Sequence, residues 1–374
     1  MRIDVRNNFP KKPRHRIVPG ALAALFLLGG PSASAEPAAA TSAPLCWTQA
    51  ALPYRKGDER VQQGVAAAFA GVPQRVPAEF SPLTATPRGV IRRVKLAPGK
   101  KLVALTFDLC ETHYEIAGYQ GGIVDYLREN NVKATFFAGG KWLLTHRERA
   151  EQLMSDPLFE VANHGWEHRN LRRLTGAALK AEIENAQLAY EDVRAELAAK
   201  QCMARDAVTP AAARAPKRMS YLRFPYGACN PAALEAVAQE GLVSIQWDVA
   251  AGDPAPGESA SQMARVVLAS VQPGSIVIFH ANGRGWHTDA ALPKIVSELK
   301  AQGYEFVTIP ELLAAGEAEV ASTCFNLRPG DTNMYDYFLA GAEHGAVPRR
   351  NSTLFGWDFR RFFSRPLGAK PDSL

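Results

Sequence analysis

From about residue 101 onward the apolar residues gather into short runs, and amphipathic stretches separate those runs. Seven runs have the length and composition of strands: 101–107, 133–137, 158–162, 220–224, 242–247, 275–279 and 304–308. Helical patterns fill most of the gaps, over 121–129, 145–154, 176–199, 230–239, 259–270 and 289–301. Strands that alternate with helices predict parallel pairing through right-handed crossovers. Seven such units fit a closed or nearly closed α/β barrel better than the alternative, an open doubly wound sheet. In a barrel of this kind the reactive groups come from the carboxyl ends of the strands. No G-x-G-x-x-G or P-loop motif points to a nucleotide.

Outside this alternation the pattern changes. Arg2, Arg6, Lys11, Lys12, Arg14 and Arg16 precede an apolar stretch over 17–28, and Ala33-Ser34-Ala35 follows it. That is the layout of a secretory signal peptide with cleavage before Glu36, and the apolar stretch is short for a membrane span. A retained signal anchor is the alternative. The expected organisation is a signal peptide over 1–35, an Ala- and Pro-rich extension over 36–100, a barrel domain over 101–313 and a C-terminal extension over 314–374. The last of these is aromatic-rich and carries no readable mechanism. The expected location is periplasmic or extracellular, with no stable membrane span after cleavage.

Cleavage changes the charge. The chain has a net charge of +6, and residues 1–35 carry five of those positive charges. The mature protein is therefore close to neutral, which removes any warrant for a nucleic-acid partner. Export permits disulfides, and five cysteines leave at least one unpaired within a monomer. Cys110 and Cys229 each follow a candidate site segment and are candidates to lie together. Cys46 and Cys324 flank the barrel and are candidates to staple the extensions. Cys202 completes the set, and the connectivity stays open. No C-x-x-C spacing suggests a zinc-thiolate site.

The strand ends carry the chemistry. The first run leads into Thr106-Phe107-Asp108-Leu109-Cys110-Glu111, and the third into His164 and His168, four residues apart. Neutral imidazole is the commonest protein ligand for a divalent transition metal. The fourth run gives Arg223-Phe224-Pro225-Tyr226-Gly227, the fifth gives Asp248 with Asp253 beyond it, and the sixth gives His280. A carboxylate, two imidazoles, an arginine, further carboxylates and a lone histidine thus converge on one face of the expected barrel.

These residues resemble the polysaccharide deacetylases with a NodB-homology domain, carbohydrate esterase family 4. The likeness rests on Thr106-Phe107-Asp108 for T-F-D-D, His164 and His168 for H-x-x-x-H, and Arg223, Pro225 and Gly227 for R-x-P-x-G. Asp253 stands for the Asp of an Asp-Trp pair whose Trp is replaced by Pro254, and Ile278-Phe279-His280 matches the last motif. The resemblance covers about residues 100–310 and implies a distorted, incomplete (β/α)7 barrel. It implies an exported, metal-dependent hydrolase that removes N-acetyl groups from a polysaccharide, with Asp108 as base, His280 as acid, Arg223 orienting the base and Asp253 raising the pKa of His280. His164 and His168 would hold a divalent ion, zinc in the first place, with cobalt or others as alternatives.

One departure matters. Leu109 stands where the family supplies a carboxylate ligand, and leucine cannot ligate. Glu111 is the expected replacement, with His113, Cys110 or solvent as the other choices. Pro225, Tyr226, Gly227 and Trp286 are the expected substrate contacts, with Trp142 and Trp166 as further aromatics in the same loops. The expected substrate is an N-acetylated glycan: peptidoglycan, an exopolysaccharide or a chitin-like chain. A noncatalytic carbohydrate-binding domain on the same scaffold is the alternative, and a hydrolase of small cyclic amides is a third reading disfavoured by export.

Overall fold

The computed structural model describes residues 46–48, 50–65, 71–72, 89–200 and 215–336. The expected signal peptide, Cys202 and the last part of the C-terminal extension lie outside them. In chain order the strands are β1 (Gln62–Gln63), β2 (Val90–Leu96), β3 (Leu102–Leu109), β4 (Glu115–Ile116), β5 (Ala134–Ala138), β6 (Phe159–Asn163), β7 (Tyr221–Leu222), β8 (Val243–Ser244), β9 (Val249–Ala250), β10 (Ile276–His280), β11 (Glu305–Phe306) and β12 (Gly316–Ala321). The helices are α1 (Gly121–Glu129), α2 (Gly140–Thr145), α3 (Arg147–Ser155), α4 (Gly176–Ala199), α5 (Pro231–Gln239), α6 (Ala260–Ser270), α7 (Thr288–Ala301) and α8 (Ile309–Ala314).

All seven expected strands are present, and β9 is an eighth that the sequence did not declare. They pair in parallel in the order β8-β7-β6-β5-β3-β10-β9, with β11 against the start of β3. The sheet curls into an incomplete barrel with helices around it. The central strand explains the layering. β3 reads Leu-Val-Ala-Leu-Thr-Phe-Asp-Leu and is buried almost throughout. Its odd-numbered residues, Val103, Leu105, Phe107 and Leu109, enter the outer core beneath the helices, together with Ile123, Leu153, Tyr190 and Ile295. Ala104 faces the interior, where Phe137, Ala162, Ile276, Ile278 and two residues of α8, Ile309 and Leu312, fill the space. A period of two, buried on both faces, is what parallel strands between two layers require.

Register then lines up the reactive ends. β10 pairs with β3 so that His280 sits opposite Asp108, and β5 pairs with β6 so that Ala138 sits opposite Asn163, the residue before His164. Phe136, Phe107 and Phe279 form an aromatic row across three strands, each neighbouring pair of rings 5.4 Å apart.

Three strands fall in segments read as extensions, and the short β1 pairs antiparallel with β4. β2 and β12 form an antiparallel pair with a bulge at Glu319–Val320. β2 also bridges to Ile245 and Ser275, which binds this pair to the barrel sheet. The sequence pattern missed β2 and β12 because Arg92-Arg93 interrupts one and the other is built of Gly, Ala and Glu. The cysteine pairing differs from the expectation as well. Cys229 is bonded to Cys324, Cys46 is in a disulfide, and Cys110 is a buried free thiol. Cys324 thus takes the place foreseen for Cys110 beside Cys229, because β12 returns the chain to the end of the barrel carrying Cys229. No helix among the described residues is long and apolar enough to cross a membrane.

Replacing Phe107 by Ala removes the middle ring of the aromatic row. The expected cost is about 3–5 kcal/mol of unfolding free energy, measured by urea denaturation, with Phe107→Leu losing less.

Candidate active site

The site starts with a buried ion pair. Asp108 ends the interior face of β3, and Arg223 follows β7; both side chains are almost fully buried. Arg223 donates Nη1 to Asp108 Oδ1 (2.7 Å) and Nη2 to Thr106 Oγ1 (2.8 Å), and its guanidinium lies 4.0 Å from the centre of the Phe137 ring. Burial opposes ionisation of Asp108, but Arg223, His164 and His280 outweigh it and hold its pKa below the ordinary carboxylate value. Asp108 is therefore a carboxylate throughout the neutral range.

The same arginine residue reaches a second group through its main chain. His164 Nδ1 lies 2.9 Å from the carbonyl oxygen of Arg223. A carbonyl only accepts, so Nδ1 carries the proton and Nε2 presents its lone pair. That Nε2 is buried and has no hydrogen-bond partner among the described residues; Asp108 Oδ2 stands 3.4 Å away. Burial holds the pKa of His164 below 6.5 and that of His168 well below it, so both imidazoles are neutral at pH 7. Ligand atoms of Cys110, His164 and His168 all lie within 4.8 Å of one another. One soft thiol and two neutral imidazoles, with an orphaned buried nitrogen aimed among them, match the donor preferences of zinc. A histidine whose far nitrogen is fixed by a carbonyl is also the usual support of a metal ligand.

Glu111, the expected third ligand, does not join this cluster. Its Oε2 accepts from the main-chain N–H of Ala117 and from Thr145 Oγ1, both at 2.9 Å, and Lys141 Nζ lies 3.8 Å from Oε1. Burial pushes its pKa up to about 7. Strand parity is the physical reason. Leu109 enters the helix-facing core and Glu111 follows it to that side, whereas Cys110 follows Asp108 to the interior. His113 is excluded too, because it is exposed and bound to Glu167 at 2.7 Å.

His280 completes the set from the neighbouring strand. Its Nδ1 lies 3.0 Å from Asp253 Oδ1, while Asp253 Oδ2 accepts from the His280 main chain (2.5 Å) and from Thr288 Oγ1 (2.9 Å). Burial disfavours the imidazolium, but Asp253 and Asp108 outweigh it and raise the pKa of His280 above 6.5. Asp248, by contrast, binds Ser275 and the main chain of Ile276 at the start of β10, remote from the reactive end.

Pro225, Tyr226 and Gly227 form a single helical turn beside His168, with Tyr226 at φ 61° and its ring 4.4 Å from the imidazole. Trp286 is exposed at the rim, where its main chain bonds to that of Asp253. Trp142 and Trp166 are core residues; Trp142 donates its indole N–H to Gly118 and packs on His146. Sequence reasoning missed Glu182, whose Oε1 accepts from the main chains of Glu167 and Arg169 and so shapes the loop between the histidines. A glutamate on the apolar face of α4 was its signal. Asn282, two residues beyond His280, donates Nδ2 to the Cys110 carbonyl at 2.9 Å.

Residues 95–245 match the family model described as polysaccharide deacetylase. The peptidoglycan-N-acetylglucosamine deacetylase PgdA of Listeria monocytogenes is 30% identical over 222 residues, which cover 59% of this chain and 41% of that protein. This chain therefore spans less than half the length of that relative. The chitooligosaccharide deacetylase of Bradyrhizobium sp. (strain ANU 289) is 28% identical over 248 residues, 63% of this chain and 99% of that one. A solved structure described as a family 4 carbohydrate esterase pseudoenzyme from Bacillus anthracis aligns with a TM-score of 0.47 and 23% identity, covering 60% of this chain and 69% of the other.

Arg223→Met would leave the Asp108 charge buried and unpaired, at an expected cost of about 3–5 kcal/mol at pH 7. The depressed pKa of Asp108 in the parent gives stability that is present at neutral pH and is lost as pH falls below the carboxylate range. In the variant the unpaired acid can take up a proton, so the deficit should shrink between pH 7 and pH 4. Urea denaturation at the two pH values checks this.

Proposed function

We propose that this chain, which carries a polysaccharide deacetylase domain, is an exported metal-dependent hydrolase that removes N-acetyl groups from a glycan. The observation that carries this reading is the buried, unpartnered His164 Nε2 facing Cys110 and His168, beside an ionised Asp108. Binding alone needs neither a base held by a buried arginine nor a proton donor held by a buried aspartate. Residues 1–35 support export, and the names of the relatives support a peptidoglycan or chitin-type substrate.

Cys110, His164 and His168 would hold the ion, with zinc favoured by the thiol and the two imidazoles. When bound, such an ion supplies Lewis acidity toward water and the acetamide carbonyl. The residues do the rest. Asp108, fixed by Arg223, accepts the proton of the attacking water. His280 uses Nδ1–H to bind Asp253 and so presents Nε2 to the substrate side. Its raised pKa favours the protonated form, which can give that proton to the departing amine as the C–N bond breaks. Acetate and a free glucosamine-type amine are the products. The Tyr226 turn and Trp286 would bound the sugar ring, as amphipathic aromatic rings commonly do.

Two outcomes test this. Chelated protein should release no acetate from an N-acetylated chitooligosaccharide or from peptidoglycan; adding zinc should restore release, and Cys110→Ala should lose most of it, whereas Glu111→Gln should retain the metal requirement. Acetate release that ignores chelation, or a zinc-loaded protein that binds glycan without releasing acetate, would contradict the reading. Second, activity should fall at high pH as His280 loses its proton. Asp253→Asn removes the main cause that raises this pKa and should move that alkaline limb of kcat/KM to lower pH, by about one unit or more. An unmoved limb would contradict the role of His280.

A further inference from the structure

The segment after β12 is clamped onto the active-site loops. The Cys229–Cys324 disulfide joins it to the loop that follows Arg223. Arg92 donates to the main-chain oxygens of Phe325 (2.6 Å) and Asn326 (2.8 Å), and Trp247 Nε1 donates to Asn326 Oδ1 (3.0 Å). The Asp331 carboxylate accepts from three successive main-chain N–H groups, those of Asn326, Leu327 and Arg328. Farther on, Arg172 binds Thr332 O (2.9 Å), Asn333 Oδ1 (3.2 Å) and Asp336 Oδ1 (3.0 Å), and Asn170 Nδ2 also reaches Asp336 (3.0 Å). Asn170 and Arg172 directly follow the His-x-x-x-His loop. The segment is therefore held from the loop after β6 and from the loop after β7, and Tyr335 lies within the clamp made by Asn170 and Arg172.

The Tyr335 ring lies 5.1 Å from that of Tyr226, whose other neighbour is the His168 ring at 4.4 Å. The two histidines differ in what orients them. His164 is fixed by a hydrogen bond to the Arg223 carbonyl. Among the described residues no hydrogen bond holds the His168 ring, and its backbone is left-handed at φ 57°. A metal-binding histidine ordinarily has a polar partner on its far nitrogen. Here aromatic packing stands in that place, and Tyr226 is itself left-handed at φ 61°, a backbone that surrounding contacts must hold.

We propose that Tyr335 is a positioning residue for the metal centre: from the C-terminal extension it presses Tyr226 against the His168 imidazole and fixes that ligand's orientation. The extension is then part of the active site. This rests on the reading of Cys110, His164 and His168 as a metal centre. Losing an outer partner of a ligand typically lowers metal affinity 10–100-fold. Tyr335 is two contacts from the ion, so the lower end of that range is expected.

The test is zinc affinity of the full chain, by competition with a chelating dye, for the parent, Tyr335→Ala, Tyr335→Phe and Arg172→Gln. Circular dichroism melts check folding. Tyr335→Ala should weaken zinc binding about tenfold without losing the cooperative melt. Tyr335→Phe, which keeps the ring, should restore parent affinity, and Arg172→Gln, which loosens the clamp away from the centre, should weaken it in the same direction. Unchanged affinity in Tyr335→Ala, or a Tyr335→Phe variant as weak as Ala, would overturn the proposal while leaving the metal centre standing. A parent chain that binds no zinc would overturn the centre, and the proposal with it.

Discussion

The site depends on one buried cation. Arg223 is fully enclosed, and its guanidinium faces Asp108 and Thr106 in the barrel interior while its carbonyl fixes His164. A buried ion pair is a poor source of net stability, because desolvating both charges offsets much of their attraction. Its value here is positional. One residue settles the charge of the carboxylate and the tautomer of the imidazole beside it. The aromatic walls of Phe137 and Trp247 keep water from competing for the guanidinium. Removing this residue would disturb Asp108 and His164 together.

The barrel brings two dyads together. Arg223 holds the Asp108 carboxylate ionised, and Asp253 raises the pKa of His280. The β3–β10 register places Asp108 opposite His280. Environment thus lowers the pKa of the carboxylate and raises that of the imidazole, which is the condition for acid and base chemistry at one centre.

Much of this was legible in the sequence. Short apolar runs between amphipathic stretches gave the seven parallel strands, and helices α1 and α4 begin and end where the pattern places them. The positions of Asp108, His164, Arg223 and His280 at strand ends followed from the same alternation. The grouping of Cys110 with the two histidines follows from strand parity rather than from donor type: Cys110 shares the side of Asp108, and Glu111 shares that of Leu109. The role of residues 322–336 was out of reach, because local pattern says nothing of a disulfide or of where β12 returns the chain. Glu182 and Asn282 hold site loops through main-chain hydrogen bonds, which composition does not reveal.

On the proposed reading, sulfur from Cys110 takes the place of a carboxylate at Leu109. A thiolate keeps the single negative charge of a carboxylate while supplying a softer donor. X-ray absorption at the zinc edge, on the zinc-loaded full chain, tests it most directly. One sulfur scatterer at about 2.3 Å is expected alongside nitrogen or oxygen scatterers, with loss of the sulfur shell in Cys110→Ala. A spectrum fitted by nitrogen and oxygen alone in the parent would contradict it.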